Sequence, residues 1–213
     1  MKAQKNYGAV QDYDFPKIWL QNYPLYGFEE TGFKDFDLVK KQLILAVKDL
    51  EKVGVDFIGI ACNTVHHYYQ EMQTSVSLPI INLISESVNH LKDIDCGCVG
   101  VLSSQSTREL CLYHDECDRK GIKFVDCTDK EQKIINNAIL KVLSGDCLDE
   151  VRLDLYKIID KMIDSGATAI LLGCTELPLI IINNFYHSIS IISSSDVLAD
   201  KILEMSYVGK SLN

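Results

Sequence analysis

Two stretches of this chain, "DFIGIAC" (56–62) and "TAILLGC" (168–174), are near-continuous apolar runs that end in cysteine. Each follows an amphipathic stretch closed by a glycine. An offset of 112 residues (174 minus 62) lays one on the other and brings much else into line. Val39 meets Val151, Leu43 meets Leu155, Val47 meets Ile159 and Leu50 meets Met162. Gly54 then meets Gly166, Ile58 meets Ile170 and Ile60 meets Leu172. The apolar positions recur at helical spacing, and a glycine just beyond them suits a left-handed C-terminal cap. The pattern reads as an internal duplication, with two related α/β halves that each present a cysteine from a strand's carboxyl end. Ligands of open parallel sheets bind outside those ends. Facing halves would therefore set Cys62 and Cys174 on opposite walls of one cleft.

The remaining chain follows the same grammar. "PKIWL" (16–20), "PIINL" (79–83), "CGCVGVL" (96–102), "IKFVDC" (122–127) and "SISIIS" (188–193) join the two cysteine runs as expected strands. They are mostly apolar without alternation, the mark of strands covered on both faces by helices, hence of a parallel sheet. Helical periodicity occupies 37–53, 85–91, 106–120, 130–144, 148–165 and 197–205. The expected class is α/β.

Composition narrows the function. The 213 residues are 47% hydrophobic and 24% charged, those of an ordinary globular protein, with a net charge of −9. No Lys/Arg stripe is present, which argues against nucleic acid as a partner. No apolar run approaches the roughly 20 residues of a membrane span. The first residues carry no apolar segment of a secretory signal, so a cytoplasmic location is expected. Eight cysteines occur without a Cys-x-x-Cys or a second ligand pair at zinc spacing, so the expectation is reduced thiols and no metal.

Two facing thiols suit a reaction that removes a proton from one face of a carbon and returns one to the other. One sulfur must be thiolate and the other thiol, and cysteine's ordinary pKa of about 8.5 is readily tuned for either role. The carboxylate of such a substrate needs preorganised donors. Asn63, Thr64 and Thr175 follow the two cysteines at strand ends and supply them, and Glu176 either positions substrate or simply favours a helix N-terminus. In the turn "LSSQSTREL" (102–110), Ser104 and Thr107 are further carboxylate ligands at a helix start, with simple N-capping as the alternative role for the pair. His66 and His67 read as early-helix residues, one packed and one in solvent. Cys96, Cys98, Cys111, Cys117, Cys127 and Cys147 read as structural or surface thiols.

The motifs "ACNTVHH" and "LLGCTELP" resemble the paired motifs of the aspartate/glutamate racemase superfamily, over nearly the whole chain. "PKIWLQNYPL", "ETGF" and "GVLSSQST" are most similar to its aspartate racemase branch. The resemblance implies two pseudo-symmetric α/β domains with Rossmann-like parallel sheets and the active site between them. The expected boundaries are 1–93 plus 197–213 for the first domain and 94–196 for the second. It also implies a homodimer, no cofactor, and a small amino-acid substrate. Cys62 and Cys174 would be the acid/base pair, with Asn63, Thr64, Thr107 and Thr175 at the substrate. Members of the branch begin with a strand, a Gly-rich turn and a helix ahead of "YGAVQDYDFPKIWL"; the first half is thus expected to lack that strand and loop. An arginine expected after "PKIWL" is absent, and Leu143 stands where a lysine is expected, so another amino acid or broad specificity fits as well as aspartate. The alternatives are an isomerase of the hydantoin racemase or maleate isomerase type, and a catalytically silent binding protein.

Overall fold

The computed structural model describes residues 2–29 and 32–207. The chain opens with α1 (Lys2–Tyr7) and, after a 3₁₀ turn at Asp12–Asp14, runs extended without ladder partners to the small antiparallel pair β1 (Phe28–Glu29) and β2 (Gly32–Phe33). Next come α2 (Phe36–Val53), β3 (Ile58–Gly59), a 3₁₀ turn at Thr64–Tyr68 running into α3 (Tyr69–Ser75), β4 (Ile80–Ile81) and α4 (Leu83–Asp93). The second half contains β5 (Cys98–Ser103), α5 (Gln105–Glu109), α6 (Leu112–Lys120), β6 (Lys123–Val125), α7 (Asp129–Ser144) and α8 (Asp149–Asp164). It continues with β7 (Ala169–Gly173), α9 (Leu177–Ile180), β8 (Phe185–Tyr186), β9 (Ile189–Ser193) and the closing α10 (Ser194–Tyr207).

Five strands form one sheet in the order β6-β5-β7-β9-β8, parallel except for β8 against β9. It is covered on both faces, as its unalternating strands require. Leu102, Ile170 and Leu172 point into a cluster with Ile135 and Ile139 of α7 and Leu155, Ile159 and Met162 of α8. Their neighbours Val101, Ala169 and Leu171 point the other way, onto Val88 and Leu91 of α4 and Tyr113 and Cys117 of α6. Alternate side chains of one strand thus fill two separate cores.

The duplication is visible in the backbone. In α2, Val39, Leu43 and Val47 form the buried stripe, the Asp35 carboxylate caps the Leu38 amide, and the helix ends at Gly54 with φ +83°. In α8, Val151, Leu155, Ile159 and Met162 form the stripe, and Gly166 follows with φ +100°. Each glycine occupies the left-handed region that a side chain disfavours. The strand pairings match too: Ile58 lies opposite Ile80, and Ile170 opposite Ile191, both in parallel ladders.

Three expectations need correction. "PKIWL" (16–20) is not a strand: residues 16–25 form no regular structure, and Ile18, Trp19 and Leu20 are largely exposed. Strand propensity needs a neighbouring ladder to be realised, and β3 pairs with β4 alone among the described residues. The cysteine run 56–62 keeps only two residues in a ladder for the same reason. The expected helix 106–120 is two helices, broken where Cys111 takes a left-handed φ of +53°. The closing helix α10 packs on α4 and α1 and lays Ile202 against Gly59, where a Cβ would come within 2.8 Å of Ile202 Cδ1.

Candidate active site

The segment after β3 delivers Cys62, Asn63 and Thr64 in succession, the last two fully buried. His66 folds back over this turn: its Nδ1 lies 2.8 Å from the Cys62 carbonyl oxygen. Both ring nitrogens face backbone carbonyls, yet burial dominates and pushes the imidazole pKa down, so the ring is neutral and serves the turn. His67 is exposed.

Thr64 reaches across to the turn after β5. Its Oγ1 lies 2.8 Å from Thr107 Oγ1 and 3.2 Å from Ser104 Oγ, and the Ser104 hydroxyl donates to Thr107 Oγ1 at 3.1 Å. Three buried hydroxyls from the two halves thus form one cluster. Ser104 is also the N-cap of α5, accepting from the Thr107 amide at 3.4 Å, which is the capping alternative expected of this turn. Arg108, beside the cluster in sequence, is engaged elsewhere: it bonds the Cys127 carbonyl and the Asp126 and Asp129 carboxylates, and the two carboxylates, Asp126 first, raise its already high pKa.

The second cysteine turn forms where β7 ends. Cys174 is buried, and its thiol donates to Glu176 Oε2 at 2.9 Å. The Thr175 hydroxyl donates to the same oxygen at 2.9 Å. Thr175 and Glu176 are therefore held together with Cys174 by their own contacts rather than by the hydroxyl cluster. Among the described residues, no grouping of three or more His, Cys, Asp or Glu could hold a metal ion. A small cavity bordered by Ser103, Thr107, Arg108 and Tyr113 contains neither cysteine.

Sequence reasoning missed Tyr113 of α6. It is 2% exposed, and its hydroxyl donates to Asn63 Oδ1 at 2.5 Å. Burial pushes its pKa far up, and negative charge on Cys117 or Cys174 adds to the effect. The hydroxyls of Ser87 and Ser194 lie near enough to pull the other way, although Ser194 Oγ makes no hydrogen bond of normal geometry. No local motif marks this residue, because its contacts come from α6 crossing to the first half.

Comparison with known proteins agrees with this geometry. Residues 6–202 match the family described as Asp/Glu/hydantoin racemase. The chain is 29% identical over 197 residues to the broad-specificity amino-acid racemase RacX of Bacillus subtilis, covering 92% of this chain and 85% of that protein. It is 27% identical to a glutamate racemase of Persephonella marina, over 79% of this chain and 65% of the relative. Among solved structures, the Picrophilus torridus aspartate racemase superimposes with a TM-score of 0.69 at 28% identity, over 82% of this chain and 71% of that one. An aspartate racemase homologue from Pyrococcus horikoshii gives a TM-score of 0.70 at 25% identity, over 81% and 76% respectively. The duplicated helix, glycine and strand, the cysteine that ends each copy, and the match across 6–202 agree: this chain belongs to the Asp/Glu/hydantoin racemase family.

Proposed function

We propose that the protein is a cofactor-independent amino-acid racemase in which Cys62 and Cys174 act as the two acid/base groups. The observation that carries this reading is their matched placement. Each follows a strand whose equivalent isoleucine, Ile58 or Ile170, lies opposite another isoleucine in a parallel ladder. Each is also followed at once by hydroxyl or amide donors.

In the reaction, the thiolate on one wall takes the Cα proton and becomes a thiol. The electron pair left on carbon is drawn into the substrate carboxylate, which the donors of Asn63, Thr64, Ser104, Thr107 and Thr175 stabilise. The thiol on the other wall gives its proton to the opposite face and becomes the thiolate. One sulfur has gained a proton from carbon and the other has given one to it, so the sulfurs have exchanged roles. The hydrogen bond from Cys174 to Glu176 favours Cys174 as the resting thiol, with Glu176 holding it in line.

The substrate we propose is an amino acid accepted with broad side-chain specificity. Arg108 is committed to Asp126 and Asp129, which leaves the hydroxyl cluster without an arginine for a second carboxylate. RacX, the broad-specificity relative, supports the same reading. The proposal includes a cytoplasmic homodimer and two domains, 1–93 with 197–213 and 94–196. Its test is solvent deuterium exchange at Cα over a panel of L- and D-amino acids that includes aspartate and glutamate. Exchange with several amino acids, lost in both Cys62→Ala and Cys174→Ala, is the expected result. Exchange that survives either change overturns the two-thiol mechanism.

A further inference from the structure

Asn63 is 3% exposed and its side chain is only half satisfied: Oδ1 accepts from Tyr113, whereas Nδ2 is buried with no hydrogen-bond partner. A buried amide N–H₂ without an acceptor is costly, and native proteins seldom leave one without a reason. An amide can turn either end toward a neighbour, and here the Tyr113 hydroxyl donates to its carbonyl end. Burial raises the Tyr113 pKa far above neutrality, so the O–H keeps its proton at any working pH. Tyr113 therefore holds the carbonyl end of Asn63 and leaves the two N–H donors without an acceptor among the described residues.

The same ring also touches the second cysteine turn. A Cβ at Gly173 would come within 2.6 Å of Tyr113 Cε2, so the glycine before Cys174 admits the ring. Tyr113 is thus in contact with the residue after the first cysteine and the residue before the second. Its own backbone belongs to α6, whose left-handed start at Cys111 turns the chain after the hydroxyl cluster.

We infer that Tyr113 is a positioning residue for the reaction proposed above, orienting Asn63 so that its Nδ2 donates to the carboxylate of a bound amino acid. This rests on the racemase reading for the identity of the acceptor, but it is tested without turnover. The Asn63 side-chain amide signals are assigned in a ¹⁵N-labelled protein by their loss in Asn63→Ala, and each amino acid of the panel is titrated in. Dissociation constants are measured by calorimetry for the wild type, Asn63→Ala, Tyr113→Phe and the double variant.

The expected result is that a bound amino acid shifts the Asn63 Nδ2 protons in the wild type and not in Tyr113→Phe. Tyr113→Phe should weaken binding about tenfold, as for one hydrogen bond to a charged group. The double variant should bind no worse than Asn63→Ala, because Tyr113 acts only through Asn63. A purely structural tyrosine would give additive losses and leave the amide response in place. Additive losses, or Asn63 signals unmoved by every amino acid in the panel, overturn the inference. Shifted signals with no Cα exchange would leave it standing while removing the racemase reading.

Discussion

Thr64 Oγ1 and Thr107 Oγ1 share a hydrogen bond of 2.8 Å although 43 residues separate them. This bond joins the turn after Cys62 to the first helix beyond β5, and with Ser104 it closes a buried cluster that links the two copies of the duplicated unit. Thr107→Val keeps the shape and deletes one hydroxyl. It should cost about 1–2 kcal/mol of stability, read from urea unfolding, because Thr64 and Ser104 each lose a partner. The KM for any accepted amino acid should rise in parallel, and an unchanged KM would remove Thr107 from the substrate site.

Glu176 holds the Cys174 thiol and the Thr175 hydroxyl on one carboxylate oxygen. A negative charge so close disfavours a second one on sulfur. Glu176→Gln should therefore speed alkylation of Cys174 by iodoacetamide, measured by peptide mass spectrometry, and slow Cα exchange. Equal alkylation rates in the two proteins would show that the carboxylate does not control this thiol.

Acid should destabilise the fold in two steps. Burial lowers the His66 pKa below 6.5, so the unfolded chain binds the proton that the folded chain refuses. Its contribution is complete above 6.5 and is lost as pH falls toward the folded value. Glu131, bonded to Lys161 and to the Thr128 amide and hydroxyl, has its pKa lowered from 4.5 to about 2. Its contribution is complete above 4.5 and is lost between there and about 2. Allowing for the exposure of Lys161, this second step is worth about 2 kcal/mol. Urea titrations across this range should show both steps in the wild type, with only the lower one missing in Glu131→Gln.

Val10, Tyr13, Ile18, Leu20 and Tyr26 are each at least 70% exposed, and Trp19 is 55% exposed. With aromatic side chains of about 150–250 Å², they present an apolar area comparable to one side of a standard interface, about 800 Å². Lys5 and Lys17 balance Asp12 and Asp14 in this segment, Lys2 being paired with Asp196 and Asp200, so this face adds little repulsion between two copies of a chain that carries −9 overall. The homodimer proposed above would use this face. Leu20→Lys should convert a dimer to a monomer by light scattering and red-shift the emission of Trp19, the sole tryptophan. A monomeric wild type would discard this face as an interface.

Local rules made the second half largely legible. The stripes of α7 and α8, their glycines and the apolar runs of β5 and β7 satisfy helix periodicity, capping and two-sided burial together, and these agree without reference to distant contacts. "PKIWL" has the same local signal and stays extended and exposed, because a strand is completed by its neighbours. The break at Cys111 depends on a non-glycine residue in a left-handed conformation, which no local preference announces. Within the site, Cys62, Asn63, Thr64, Cys174 and Thr175 stood out through repetition and polar context at strand ends. Tyr113 did not, since its contacts to Asn63 and Gly173 arise only from the crossing of α6 between the two units. The hairpin β1–β2 was hidden for a related reason: its ladder is two residues on each side, too short for an alternating pattern.

The ladders beneath the two cysteines differ in a way that the repeat conceals. Cys174 extends from β7, a strand bonded on both sides within a five-stranded sheet, whereas Cys62 follows a two-residue strand with a ladder on one side. The two cysteines of the repeat thus stand on mechanically unequal supports. Backbone amides of 58–62 should exchange with solvent deuterium well before those of 169–173, because local opening draws on the segment with fewer bonds to break. On the two-thiol reading proposed above, an amino acid would meet one wall that breathes and one that holds its shape, which ties its passage to the first half of the chain.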